Sequence, residues 1–305
     1  MLKSVTITNY LGESVKITLN EADPDHGLLI TKIDGLGPPK ANINTTTLAT
    51  NDGSVYNSAR LEQRNIIFGL LFTFSPQIED ARQLTYKYFP IKKNLTILIE
   101  ADNRIVQTTG YVESNEPDIF NQYESTQISI ICTDPYFYSA GENGINTTVF
   151  YGVEPLFEFE FDNDSLEENL IEFGSIENEQ EKTVVYEGDA EIGVTITIHA
   201  LGEVGNITIY NTGTREVMRI DVSKIKAITG QGIVAGDDII ISTVRGHKSI
   251  QLLRGGIYIN ILNALERGSD WFQLSRGDNI FAYTAEYGAE NLEFKIENRI
   301  LYEGV

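Results

Sequence analysis

Few residues in this chain are of a type and spacing that could make or break a bond. Its single cysteine, Cys132, excludes an internal disulfide and any cysteine-based zinc site. It stands in Ser129-Ile130-Ile131-Cys132, where a thiol serves as a small buried hydrophobe and not as a nucleophile. His26, His199 and His247 lie far apart, and none has a neighbour at ligand spacing. His199 falls on an alternating segment and reads as a packed or hydrogen-bonded side chain. The paired carboxylates Asp237/Asp238, Glu167/Glu168 and Asp162/Asp164 are the raw material of a two-carboxylate glycosidase. However, 44 acidic residues in 305 generate such pairs by chance. Asp162-Asn163-Asp164 opens like a calcium loop, but Glu167 occupies the place of the loop's glycine, so a solvated turn is the better account.

Gly230-Gln231-Gly232-Ile233-Val234-Ala235 fits the loose dinucleotide pattern. It leads into the strand-like Gly236-Asp237-Asp238-Ile239-Ile240-Ile241, whereas a pyrophosphate needs a helix N-terminus there, so a tight loop between strands is expected. Trp271 is the only tryptophan. On a β-sandwich it would serve as a sugar platform, as would a surface tyrosine at Tyr258, Tyr283 or Tyr287; the competing reading has Trp271 or Phe272 anchoring a core. No Walker loop, Gly-x-Ser-x-Gly elbow or His-Glu-x-x-His pair occurs. The residues therefore call for no catalytic group, no metal and no cofactor.

The elements that must carry these side chains are mostly strands. Val5/Ile7 and Val15/Ile17/Leu19 alternate with polar residues around the turn Leu11-Gly12-Glu13-Ser14, which predicts a hairpin. A second hairpin joins 95–99 to 105–109 through Ala101-Asp102-Asn103-Arg104, and 127–131 adds another strand. Residues 75–88 break the period. Ser75 offers an N-cap hydroxyl, Pro76 the first helical position, and Glu79 and Asp80 an acidic first turn. Ile78, Ala81, Leu84 and Tyr88 form one apolar stripe before Phe89-Pro90 stops the helix.

Ser139-Ala140-Gly141-Glu142-Asn143-Gly144 is linker-like, which divides the chain into domains 1–145 and 146–305. Beyond it, short apolar runs at 194–198, 207–210, 239–241, 250–252 and 257–259 with glycine punctuation predict an antiparallel sandwich. Leu156-Phe157-Glu158-Phe159-Glu160-Phe161 reads as a strand with a charged face.

The formal charge is −21, split as −6 over residues 1–150 and −15 over 151–305. Such a surface repels phosphate backbones and anionic lipid, which disfavours sequence-specific nucleic-acid binding and membrane attachment through a basic patch. No apolar run approaches the roughly 18 residues of a membrane helix. The first residues alternate instead of forming a signal-peptide core, which points to a chain made and kept, or assembled, in a cytoplasm.

Two clusters carry a resemblance. One is Ile33-Asp34-Gly35-Leu36-Gly37-Pro38-Pro39-Lys40-Ala41, followed by Asn51-Asp52-Gly53-Ser54-Val55-Tyr56-Asn57 and then Arg60 and Arg64-Asn65-Ile66. The other runs from Gly236-Asp237-Asp238 through Arg245-Gly246-His247-Lys248 to Gly268-Ser269-Asp270-Trp271-Phe272-Gln273-Leu274-Ser275-Arg276-Gly277-Asp278-Asn279. In this order, with the helix between them, they resemble the distal tail proteins of long-tailed bacteriophages and phage-tail-like particles, over nearly the whole chain.

The resemblance implies a mainly β fold. It would comprise an N-terminal β-sandwich-like ring domain with one α-helix and a β-hairpin, and a C-terminal galectin-like, carbohydrate-module-like sandwich. It implies a non-enzymatic part of the virion tail that closes into a homohexameric baseplate hub ring. The implied partners are copies of itself, the tail tube protein, the tail-tip protein, and a receptor-binding protein or cell-surface glycan. Strong negative charge suits a tube through which DNA passes without sticking. The ring interface is expected along the Ile33 to Ala41 segment, the Tyr56 to Arg64 segment and the hairpin that carries Ile97, Ile99, Ile105 and Thr109, with its strands as pairing edges. Arg60 and Arg64 would be bidentate ion-pair donors across that interface. Two further readings stay open, a carbohydrate-binding module built on Trp271 and a glycoside hydrolase built on a carboxylate pair.

Overall fold

The structure, a computed structural model, describes residues 1–19, 26–49, 52–73, 77–154, 175–178 and 180–305. It divides into two compact units, Met1–Gly144 with Leu301–Val305, and Ile145–Ile300.

In the first unit the chain forms β1 (Leu2–Thr8), β2 (Ser14–Thr18), β3 (Leu28–Asp34), β4 (Ala41–Thr47), β5 (Ser54–Leu61), β6 (Arg64–Phe72), α1 (Ile78–Tyr88), β7 (Asn94–Ala101), β8 (Ile105–Asp118), β9 (Ser125–Cys132) and β10 (Phe137–Ser139). Antiparallel pairing gives the sheet order β2-β1-β7-β8-β9-β6-β3. The first predicted hairpin pairs Val5 with Ile17 and Ile7 with Val15, and all four side chains are buried. Alternation put one face of each strand inside, where Ile66, Phe68 and Leu70 of β6 meet Leu95, Ile97 and Ile99 of β7 and Ile128 and Ile130 of β9 in a single core.

Helix α1 closes this core through Ala81, with Ile78 and Tyr88 packed against it as the apolar stripe predicted, whereas Leu84 is only half-buried and Thr85 is the helix's other buried side chain. Its N-cap is Gln77, whose side chain makes no capping bond; the Ser75-Pro76 signal lies outside the described residues. Strand β8 is 14 residues long. Asn94 of β7 pairs with Tyr111, so beyond a bulge between Val112 and Ser114 only β9 continues beside β8.

The second unit contains β11 (Asn146–Val149), β12 (Tyr151–Glu154), β13 (Ser175–Asn178), β14 (Glu181–Tyr186), β15 (Ile192–Gly193), β16 (Thr195–Ala200), β17 (Ile207–Asn211), β18 (Glu216–Ile220), α2 (Val222–Thr229), β19 (Asp238–Ser242), β20 (Ser249–Arg254), β21 (Ile257–Asn260), β22 (Gln273–Leu274), β23 (Gly277–Ala285) and β24 (Leu292–Asn298). A six-stranded sheet, β11-β24-β16-β19-β20-β21, packs on a four-stranded one, β14-β23-β17-β18. Tyr283 of β23 stacks on Phe294 of β24 at 4.9 Å between ring centroids, and Phe150 meets both edge-on.

The fold is mainly β, as expected, but α2 was hidden by the period-two reading. Asp221 caps it by accepting from the Ser223 N–H, and Gly230 ends it in the left-handed region at φ 83°. The glycine-rich pattern at 230–235 is therefore the exit of a helix and not a loop between two strands. The segment 156–161, the Asp162-Asn163-Asp164 turn and Glu167/Glu168 lie outside the described residues.

The last five residues return to the first unit, a feature that a single boundary near 145 does not include. Strand β25 (Leu301–Tyr302) pairs with β10, and β10 in turn pairs with β8.

Candidate functional site

The feature that departs most from a self-contained core is the hairpin β4–β5. Among the described residues its strands pair only with each other, from Ala41↔Leu61 to Thr47↔Ser54, with a bulge between Asn44 and Thr45. Every described side chain from Ala41 to Arg60 is exposed, including the apolar Ile43, Leu48, Val55 and Tyr56. Asp52 is the one charged residue between Ala41 and Ala59. The sequence wrote this arm in Thr, Asn and Ser, so no apolar face existed to fold it inward.

The arm's root is rigid. Gly35 has φ +86°, and a Cβ there would fall 2.0 Å from the Asn65 carbonyl oxygen, so only glycine fits. Arg64, the first residue of β6, is 2% exposed. Its Nη1 donates to the carbonyls of Gly35 and Gly37 at 2.5 and 2.6 Å. Its Nε and Nη2 share the Pro135 carbonyl, and Nη2 also reaches that of Glu303 at 2.5 Å. The guanidinium stacks on Phe137 at 4.2 Å from the ring centroid. Burial pushes the Arg64 pKa down, offset in part by Cys132, Asp134 and Glu303. Glu62 N–H donating to the Lys40 carbonyl at 3.0 Å closes the root, and an open recess of about 460 Å³ there is lined by Arg60, Leu61, Glu62 and Gln63.

This placement corrects three of the expected interface residues. Arg64 is a structural clamp whose donors are spent on carbonyls, so it is not an ion-pair donor to a neighbour. Ile97 and Ile99 are fully buried, because their strand presents that face to its own core. The stretches 95–99 of β7 and 105–109 of β8 lie mid-sheet, flanked on both sides by paired strands, so neither offers the expected pairing edge. Arg60, Ile105 and Thr109 are exposed.

The chemistry-bearing residues of the second unit are engaged in structural pairs. Asp237, almost fully buried, takes Nε and Nη2 of Arg254 at 2.8 and 2.5 Å, which raises the Arg254 pKa. Its neighbour Asp238 turns to His199 Nδ1 at 2.7 Å, the hydrogen-bonded histidine that the strand position predicted. Cys132 is buried, with its thiol pushed up to about 11 by desolvation.

Trp271 is half-buried with Lys248 Nζ 5.2 Å from its ring centroid, so a cation already sits over the indole. Phe272 is the core anchor, edge-on to Phe281 at 5.4 Å. Tyr283 is buried in the sandwich, which removes it as a surface platform, whereas Tyr258 and Tyr287 are exposed. Among the described residues no three His, Cys, Asp or Glu side chains are gathered for a metal, and no helix is long and apolar enough to cross a membrane.

No protein-family model matches the chain, and no curated protein matches its sequence. Solved structures do match its fold. The Dit (gp 19.1) protein of phage SPP1, described as a paradigm of the hub adsorption apparatus in phages infecting Gram-positive hosts, is similar at 14% identity and a TM-score of 0.66, over 97% of this chain and 98% of that one. The phage P2 baseplate in its activated conformation with calcium is similar at 13% identity and a TM-score of 0.54, over 98% of both chains. Its strontium counterpart gives a TM-score of 0.52. The mainly β fold expected from the resemblance to distal tail proteins is therefore the fold observed: over 97% of its length, this chain folds as the SPP1 Dit protein does.

Proposed function

We propose that this chain is a structural hub component of a phage or phage-like tail tip, six copies of which close into a ring joining the tail tube to the tail-tip and receptor-binding apparatus. The observation that carries the reading is the fold likeness to the SPP1 Dit protein through both units at once, over 97% of the chain. The role is mechanical and needs no reacting group.

The arm supplies the physical means. A two-stranded hairpin is marginal alone in water. Free strand edges are normally guarded by charges, and between Ala41 and Ala59 the arm carries only Asp52, in its turn, with Arg60 at its root, which suits it to adding strands to a neighbouring copy. Ring closure by rotation requires such a head-to-tail contact. In this reading Arg60 within the arm, and Ile105 and Thr109 outside it, remain interface candidates.

The test is light scattering and negative-stain microscopy of the full chain at high concentration, with Val55→Asp/Tyr56→Asp alongside. Six-copy rings are expected for the wild type. The variant should melt at an unchanged temperature, since both side chains are exposed, yet form no rings. A wild type that stays strictly monomeric counts against the reading.

A further inference from the structure

Two surfaces of opposite character stand at one end of the first unit's sheet. The first is the tip of the β8–β9 hairpin, which continues past the start of β7. Phe120 at this tip is 95% exposed, with Ile119 and Tyr123 exposed beside it. A phenyl ring fully in water at a hairpin apex gains nothing until something covers it. The stem below carries the exposed acids Glu116 and Asp118, and the sequence has no lysine or arginine between Arg104 and Lys182. The knob is apolar with an acidic rim.

The second surface joins the β1–β2 turn to the segment leaving α1. Tyr10, Leu11 and Ile91 are exposed there. Lys93 Nζ lies 5.2 Å from the Tyr10 ring centroid and ties the two segments together. Lys92 and Lys93 are exposed, and among the described residues neither has a carboxylate partner. This face is apolar with a basic rim.

Helix α1 separates the two surfaces. Arg82 pairs with Glu124 at the base of the knob at 3.2 Å, and Lys87 pairs with Glu13 beside the β1–β2 turn at 2.9 Å. Among the described residues of one copy, none covers the knob's apex, where Phe120 is exposed.

We propose that the Phe120 knob of one copy docks on the Tyr10–Lys93 face of the next, with Glu116 and Asp118 set against Lys92 and Lys93. The occupant is a second copy because one chain carries both halves of a complementary pair at different places, the arrangement a head-to-tail contact requires. Copies that each carry a charge of −21 repel one another overall. A local meeting of opposite charges fixes which faces meet, while the apolar apex supplies the burial. This inference rests on the ring reading and names a contact within it separate from the arm.

The experiment is sedimentation of the full chain as wild type, Lys92→Glu/Lys93→Glu, Glu116→Lys/Asp118→Lys, all four substitutions together, and Phe120→Asp. Each charge pair alone should weaken assembly by about tenfold or more, and the four together should restore it to within roughly threefold, since the pairs are only exchanged. Phe120→Asp should remove assembly while leaving the monomer's melting temperature unchanged. If the wild type forms rings and the charge variants assemble equally well, this contact falls and the ring reading stands. Loss in both pairs without rescue by the fourfold exchange also overturns it, because the two faces then serve other partners. A wild type that never assembles overturns both.

Discussion

At the scale of the residue, the informative case is Arg64. A guanidinium has five N–H donors and no acceptor, so a buried one must be surrounded by oxygen. Here carbonyls from the segment after β3, from Pro135 and from Glu303 surround it, joining three separate stretches of chain. Arg64→Ala leaves those carbonyls unsatisfied beside a cavity, and a loss of at least about 3 kcal/mol is expected. Arg64→Lys should recover little of it, since one ammonium cannot reach the same oxygens. Urea midpoints of the two variants decide the matter, and a change below about 1 kcal/mol for Arg64→Ala would remove the clamp from this account.

Cys132, opposite Arg64 in the β6–β9 register, gives a pH prediction. The folded thiol holds its proton up to about 11, whereas the unfolded thiol loses it near 9.0. Between these values the folded state binds more protons, so stability falls as pH rises, by about 1.4 kcal/mol per pH unit. Below pH 9 the contribution is fully present. Subtracting the pH profile of Cys132→Ala isolates this slope from other titrating groups; identical slopes would refute it.

At the scale of the element, alternation identified what a strand hides but not where it stands in a sheet. It marked the inward positions of the first hairpin, Val5, Ile7, Val15 and Ile17. Sheet order is a matter of long-range pairing, and nothing local distinguishes a central β7 from an edge. Hence side chains expected at an interface are core. Helix α2 was missed because eight residues with Ile225 as their one buried side chain leave little helical stripe to read. The arm was visible only as its parts, the segments 33–41 and 51–57 and the arginines Arg60 and Arg64. Its exposure could not be read because Thr, Asn and Ser suit loops and strands alike. Arg64 looked like a surface donor since burial of a charge depends on carbonyls that are remote in sequence, as far as Glu303.

At the scale of the whole molecule, the return of residues 301–305 to the first unit matters most. Leu301 is buried there, Glu303 completes the acceptor set of Arg64, and the Val305 N–H donates to the Leu36 carbonyl at 3.0 Å. Truncation after Ile300 should cost the first unit roughly 2–4 kcal/mol and leave the second unit's unfolding where it was. Calorimetry reads this as one shifted transition and one fixed; a truncated chain that melts like the full one would contradict it. The same return makes the second unit a cassette on a double tether. The chain leaves the first unit just after β10 and re-enters it at β25, and Tyr138↔Leu301 sets the outgoing and incoming legs side by side. A pull on any point of the cassette is thus divided between two covalent legs anchored in adjoining strands, and neither can be drawn out without unzipping the other.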